Sequence, residues 1–327
     1  IESPQVYGAT ADYVHWRTYG IFFSFLCVMF RAYYVGITQT KILTVNSIVM
    51  LLSNVALNYC LIFGKGGFPA AGIAGAAIAS SVSEAVSLLF FIIYTSMTAD
   101  KRKYGFRRAF TLRPHLLKGM LSISGWTMVQ SFISVSIWFI FFLAIEHLGE
   151  RPLAVTNIVR NISALLIMVI SAFATTAGAL ISNQIGAGEQ RCLFKTCGMT
   201  LKLTYAILIP LLIILCLFPE SVLRAFTDSP SLIAASVNSV YVMASSTLIM
   251  APSFILFNAV SGTGNTRAGF IMEMISLAVY TAVIYYGIIR LKPDVALCWF
   301  SEHVYGVTLI FLAWWYLKSG KWRGKKV

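Results

Sequence analysis

Residues 36–64 read GITQTKILTVNSIVMLLSNVALNYCLIFG. Lys41 closes a short polar turn. The apolar run behind it is close to the ~20 residues needed to cross a bilayer core, and the breakers of GKGGFPAAG (64–72) end it. Asn54 and Asn58 stand one helical turn apart inside that run and so share a face. Residues 262–290, GTGNTRAGFIMEMISLAVYTAVIYYGIIR, repeat the plan 226 residues later: Gly36, Thr40, Lys41 and Tyr59 are answered by Gly262, Thr266, Arg267 and Tyr285. The segments behind also match, Ser83-Glu84 answering to Ser301-Glu302 at an offset of 218, which leaves the second copy shorter in its outer loop. A parallel repeat of this size predicts two similar membrane lobes.

Composition agrees. Of 327 residues, 58% are hydrophobic and only 11% charged, against roughly 25% charged in soluble domains. The apolar residues fall in long blocks, not in the ~10-residue alternating segments of a membrane β-barrel. The fold class expected is an all-α polytopic membrane protein. Nine spans are predicted, at about 11–34, 42–63, 72–97, 119–147, 153–182, 198–218, 232–258, 268–290 and 295–317.

The net charge of +13 is placed by side, not spread for nucleic acid. Eighteen basic residues fall on one side: Arg31, Lys41, seven between 100 and 118, Arg191, Lys195, Lys202, Arg267 and the five of the tail from Lys318. Seven fall on the other: Arg17, Lys65, Arg151, Arg160, Arg224, Arg290 and Lys292. The positive-inside rule then puts the 100–118 loop in the cytoplasm and the N-terminus outside. Four spans stand behind the second turn and one behind the first. The expected organisation is therefore an N-terminally truncated twelve-helix protein: 1–99 as the remainder of an N-terminal lobe, 100–118 as a basic linker, and 119–327 as a six-helix lobe. The six cysteines form no CxxC pair and no zinc spacing, so neither a disulfide framework nor a metal centre is expected.

Four stretches carry a family resemblance. Gly262-Thr263-Gly264-Asn265-Thr266-Arg267 is similar to an RGxGDT+ turn, and Asn54 to Gly64 to an N-x-x-x-D/N…LIFG helix. Gly72-Ile73-Ala74-Gly75-Ala76-Ala77 looks like a GxxGAAxA helix start, and Gln184 followed by Gly186-Ala187-Gly188 like a Q-x-x-GAG turn. In this order they resemble the multidrug and toxic compound extrusion (MATE) family, of the bacterial NorM-like or DinF-like type, from the fourth helix to the twelfth. The resemblance implies a two-lobe, inverted-V bundle and a secondary antiporter of the bacterial inner membrane. Such a protein exports small amphiphilic, often cationic compounds against H+ or Na+, as a monomer among membrane lipids, with no cofactor. The family's acid in the fifth helix is here Asn58, that of the seventh aligns with Gln130, and that of the tenth falls near Met250.

An ionisable side chain in a span costs ~2.5–3.5 kcal/mol even on insertion scales, so it faces a cavity or a partner. Candidates for cation coupling or substrate binding are Glu84 with Ser80 one turn before it, its repeat mate Glu302 with His303 beside it, and Glu273. Asn54, Asn58 and Gln130 offer amide oxygens. Asn157, Arg160 and Asn161 form an i, i+3, i+4 polar stripe. Asp12, His15 and Arg17 are expected at headgroup level, and Trp126 and Trp138 as stacking surfaces or lipid contacts. Pro210 and Pro252 are expected to bend their spans. A lipid-linked sugar flippase is the alternative reading; its cavity should be strongly basic, and the spans offer mainly Arg160 and Arg31. A membrane enzyme lacks any converging motif, with four scattered histidines and no HExxH, DDxxD or GxSxG.

Overall fold

A computed structural model describes residues 4–98 and 114–323. The chain divides into two compact units, Ile1–Leu112 and Arg113–Val327. Among the described residues nine helical segments are long and apolar enough to cross a membrane. The expected linker lies outside the described residues except for 114–118, which open a helix.

Unit 1 holds α1 (Pro4–Gly36), α2 (Lys41–Phe63) and α3 (Gly72–Thr98). Both α1 and α2 pack chiefly on α3. Lipid tails are as apolar as leucine, so helices in a membrane associate through close packing and hydrogen bonds, not through hydrophobic drive. The buried residues of α3 are accordingly small: Gly75, Ala77, Ala79, Ser81, Ser83 and Ser87 among them. A Cβ on Gly75 would stand 2.5 Å from the carbonyl oxygen of Leu61, so glycine lets α2 and α3 touch backbone to backbone. Further along, Phe30 and Tyr34 of α1 stack on the buried Phe91.

Unit 2 holds α4 (Pro114–Glu146), α5 (Glu150–Gly186), α6 (Leu193–Leu217), the short α7 (Pro219–Leu223), α8 (Pro230–Gly262), α9 (Thr266–Val283), α10 (Val295–Cys298) and α11 (Ser301–Ser319). Its central contact is α5 against α8. Glycine again decides the approach, because a Cβ on Gly262 would meet the carbonyl oxygen of Gly178 at 2.5 Å. Phe141, Ile145, Val159, Ile170, Leu208, Val240 and Met243 fill one core cluster of this unit.

Pro252 lies inside α8 and has no N–H to give Leu248, four residues back. The hydroxyl of Tyr205 on α6 donates to that carbonyl instead, at 2.8 Å. A backbone acceptor that lipid would leave unpaired is thus satisfied by a neighbouring helix. Asn265 caps α9, its side-chain oxygen accepting from the Ala268 amide, and its amide donates to the Tyr316 hydroxyl.

Two predicted spans are less regular than expected. The 268–290 span turns π-helical over Ile284–Arg290. The 295–317 span is not continuous: α10 ends at Cys298, Trp299 and Phe300 form a turn, and α11 starts afresh at Ser301. The break sets Glu302 in the first turn of a helix. There the aligned peptide dipoles favour a negative charge.

Candidate functional site

The break in the last span, the α9 helix and the middle of α4 converge on two carboxylates in unit 2. Glu273 of α9 is 3% exposed. Its Oε1 accepts from the Ser134 hydroxyl of α4 at 2.8 Å and from the Tyr305 hydroxyl of α11 at 2.9 Å. Its Oε2 is buried with no hydrogen-bond partner among the described residues. Glu302 accepts from the Tyr280 hydroxyl of α9 at 2.8 Å. The rings of Tyr280 and Tyr305 meet edge to face, 5.8 Å between centroids, and join the two acids into one polar cluster.

This cluster forms part of the wall of a cavity of about 410 Å³, whose other lining includes Trp138, Ile167, Met250 and Phe254. A second cavity of about 440 Å³ shares Trp138, Ile167, Met250 and Glu302 with the first and adds Arg160, Ser163, Ser246, Thr247 and Trp299. Hydroxyls hold both acids, and among the described residues neither carboxylate has a basic side chain within ion-pair distance. A carboxylate buried without a countercharge is costly unless it takes up a proton or a cation. Oxygen ligands on α4, α9 and α11 suit either. No group of three or more His, Cys, Asp or Glu side chains able to hold a metal ion occurs among the described residues.

Glu84 in unit 1 is placed differently. Arg17 reaches it from α1 with two hydrogen bonds, 2.6 Å to Oε1 and 2.9 Å to Oε2. The expectation that Arg17 lies at headgroup level is corrected: its guanidinium turns inward and forms the one ion pair found among the described residues. Gly20 makes room, since a Cβ there would stand 2.6 Å from Arg17 and 2.9 Å from Glu84.

The amides of unit 1 form a ladder against α3. Asn54 donates to the hydroxyls of Ser83 (3.3 Å) and Ser80 (3.5 Å), and Asn58 donates to Asn54 at 2.9 Å. A third rung was missed in the sequence: Asn46 is fully buried and exchanges two hydrogen bonds with Ser87. Asn46 lies eight residues before Asn54 on the same face, a signal the sequence did contain.

Other expectations scatter. Gln130 is partly buried on α4, one turn before Ser134, which is the residue that touches Glu273. The polar stripe of α5 separates: Arg160 lines the second cavity, whereas Asn157 and Asn161 line neither, and Asn161 is exposed. His303 does not partner Glu302; its Nε2 meets the Ser245 hydroxyl at 2.9 Å, and its ring stacks on Phe300. Trp138 lines both cavities, while Trp126 packs on Phe270 beneath Arg267. Ser134, Tyr280 and Tyr305 went unnoticed because hydroxyl residues are common in spans and nothing local marks those that meet an acid.

Unit 2 thus combines membrane-length helices with two largely apolar cavities whose shared wall carries an acid. The chain is similar to the MATE family. The MatE family profile matches residues 127–286. Over 291 residues the chain is 25% identical to the "Probable multidrug resistance protein NorM" of Thermotoga maritima, covering 84% of this chain and 59% of that one. It is also 25% identical over 268 residues to the "Uncharacterized transporter YisQ" of Bacillus subtilis, covering 78% and 56%. The chain thus spans under three fifths of the length of these curated relatives. Among solved structures, an outward-facing multidrug resistance MATE transporter of the MOP superfamily aligns with a TM-score of 0.83 at 16% identity, over 94% of this chain and 68% of that one. The bent form of the Vibrio cholerae transporter VcmN aligns with 0.79 at 13%, over 97% and 72%. With nine membrane-length helices among the described residues, the protein is a multi-pass component of the bacterial inner membrane.

Proposed function

We propose that this chain works in a secondary antiporter that exports small amphiphilic, often cationic compounds in exchange for H+ or Na+. The observation that carries the reading is the pair Glu273 and Glu302, two acids on a shared cavity wall with hydroxyl donors and no countercharge. Met250 lines the same cavities at the place where the family resemblance implies an acid, so neighbouring α9 and α11 supply the acids that α8 lacks. Uptake of the coupling ion at the open Oε2 of Glu273 would weaken the hydrogen bonds that Oε1 accepts from the Ser134 and Tyr305 hydroxyls, which hold α4 and α11 to α9. Occupancy would thereby alter how three helices are tied together, which is the coupling an antiporter needs.

Inside-out vesicles containing the full transporter test this, with uptake of a cationic dye followed under a proton gradient alone and then a Na+ gradient alone. Glu273→Gln should cut gradient-driven uptake by about tenfold or more, whereas Glu84→Gln should leave most of it. Equal losses in the two variants, or undiminished uptake in Glu273→Gln, would remove the carboxylate pair from the coupling path.

A further inference from the structure

Oε2 of Glu273 and the hydroxyl of Ser276 are both buried, and both lack a hydrogen-bond partner among the described residues. Ser276 is fully buried and stands one turn beyond Glu273, on the same face of α9. A hydroxyl in a helix ordinarily donates to a carbonyl three or four residues back, as Thr281 of α9 does to Leu277 at 2.8 Å. Ser276 makes no such bond. Its hydroxyl is left over one turn from an acid whose other oxygen already accepts twice.

This pair of oxygens separates the two coupling ions. A hard metal cation gives up its water only for a cage of oxygens, about six of them. Here Oε1 is taken by the Ser134 and Tyr305 hydroxyls, and Val135, Met250, Phe254 and Leu277 of the cavity wall offer no side-chain oxygen. Oε2 is also closed to solvent, which leaves no room for a hydrated ion. A proton needs only one lone pair to sit on and one acceptor to point at. We propose that Glu273 binds H+ and excludes Na+, and that Ser276 fixes the choice. The proton sits on Oε2 and is donated to the Ser276 oxygen, while Oε1, now a carbonyl oxygen, still accepts from Ser134 and Tyr305. The groups around the acid are neutral or acidic: Tyr305 and Glu302 on α11, Tyr280 on α9, and Ser134, Ile167 and Met250 on α4, α5 and α8. The positions where the family resemblance implies acids hold Asn58, Gln130 and Met250, so the site is this chain's own. The proposal rests on the transport reading above and names the ion at its site.

Infrared difference spectra of the full transporter in lipid nanodiscs read the carboxyl directly, whether or not transport occurs. Acidification without Na+ should raise a carboxylic C=O band that Glu273→Gln loses. Addition of Na+ at alkaline pH should leave the carboxylate bands unmoved. Ser276→Ala removes the acceptor and should shift the C=O band to higher frequency; Ser276→Cys, a weaker acceptor of similar shape, should fall between. Both Ser276 variants retain the acid, so they carry the test if Glu273→Gln does not fold. A carboxylate band that moves with Na+ in the wild type and not in Glu273→Gln would make this a sodium site: the proposal falls, and Glu273 keeps its place in coupling. An acid-induced spectrum unchanged in Glu273→Gln overturns the proton at Glu273, and an unshifted band in Ser276→Ala overturns the part given to Ser276. The transport reading is judged apart from these bands, by dye uptake: undiminished uptake in Glu273→Gln removes it whatever the spectra show.

Discussion

Glu84 and Glu302 occupy the same place in two copies of one repeat, yet their surroundings are opposite. α1, α2 and α3 of unit 1 correspond in order to α8, α9 and α10–α11 of unit 2, and in both units the third member packs on the other two. Along the first pair of helices, Arg17 corresponds to Met243 and Gly20 to Ser246, 226 residues on. Along the second, Asn54 corresponds to Tyr280. The first copy therefore meets its glutamate with an arginine, and the second with a tyrosine hydroxyl, a fully buried methionine holding the arginine's repeat position. A neutralised acid ties two helices together. An acid met only by neutral donors keeps its charge available. One duplicated scaffold has thus been turned into a brace in one unit and a candidate ion site in the other.

Replacing Arg17 by the methionine of the second copy should break the brace. The side chain of Glu84 is 9% exposed and that of Arg17 33%. Arg17→Met leaves a buried carboxylate alone, which costs 3–5 kcal/mol in a fully buried pair; partial exposure of this one reduces that to about 2 kcal/mol. Glu84→Gln leaves the more accessible arginine alone and should cost about 1 kcal/mol. The double variant should recover most of the Arg17→Met loss, because the charge left stranded is gone. Urea or thermal unfolding in detergent measures all three, and a double variant no more stable than Arg17→Met would show that the pair is not coupled.

The repeat that makes this comparison possible was legible in the sequence, because its glycines, cations and tyrosines recur at fixed offsets and its spans are set by length and apolarity. The ion pair was not. Arg17 and Glu84 are 67 residues apart, and Ser134 and Glu273 are 139 apart. Helical periodicity places a residue on a face but does not say which face meets which neighbour. Arg17 near a span end looks like a headgroup residue until the inward turn beside Gly20 is seen. The interruption at Trp299 and Phe300 was equally silent, since neither glycine nor proline marks it and the apolar run continues through it. Where the sequence did speak, at Glu84, Glu273 and Glu302, it identified the acids within spans without their partners. Composition ranks candidates by cost, and only packing shows how each cost is met.

A second pair of repeat positions contrasts in packing. Gly262 ends α8 with its Cα directed at the backbone of Gly178 on α5. Gly36, its counterpart at the end of α1, has no atom within 4 Å of where a Cβ would stand. Among the described residues of unit 1 no helix takes the place that α5 takes in unit 2. Gly262→Ala must push two helix backbones apart, which costs about 1–3 kcal/mol. Gly36→Ala should be neutral, or stabilising by up to about 0.5–1 kcal/mol through better helix propensity. Equal melting temperatures for the two variants would mean that α5 and α8 yield freely and that the glycine contact sets nothing.

The smallest effect expected lies two residues further along each turn. Gly264 carries φ +78° in the second copy, and Thr38, its counterpart, carries φ +61° in the first. The turn has kept its left-handed residue through the duplication although only one copy has the amino acid suited to it. A β-branched side chain in that region is strained by roughly 1–2 kcal/mol. Thr38 recovers part of this through its hydroxyl, which donates to the Ile37 carbonyl at 2.7 Å. Thr38→Gly removes the strain, loses that hydrogen bond and adds freedom to the unfolded chain, so the net gain should be only about 0.5 kcal/mol. Gly264→Thr imposes the same strain on a turn whose next residue, Asn265, caps α9 and bonds to Tyr316, and should cost about 1–2 kcal/mol. The two substitutions should therefore move the melting temperature in opposite directions, with the larger shift downward in the second copy. A gain at Thr38 as large as the loss at Gly264 would mean that the hydroxyl contributes nothing and that residue choice alone separates the two turns.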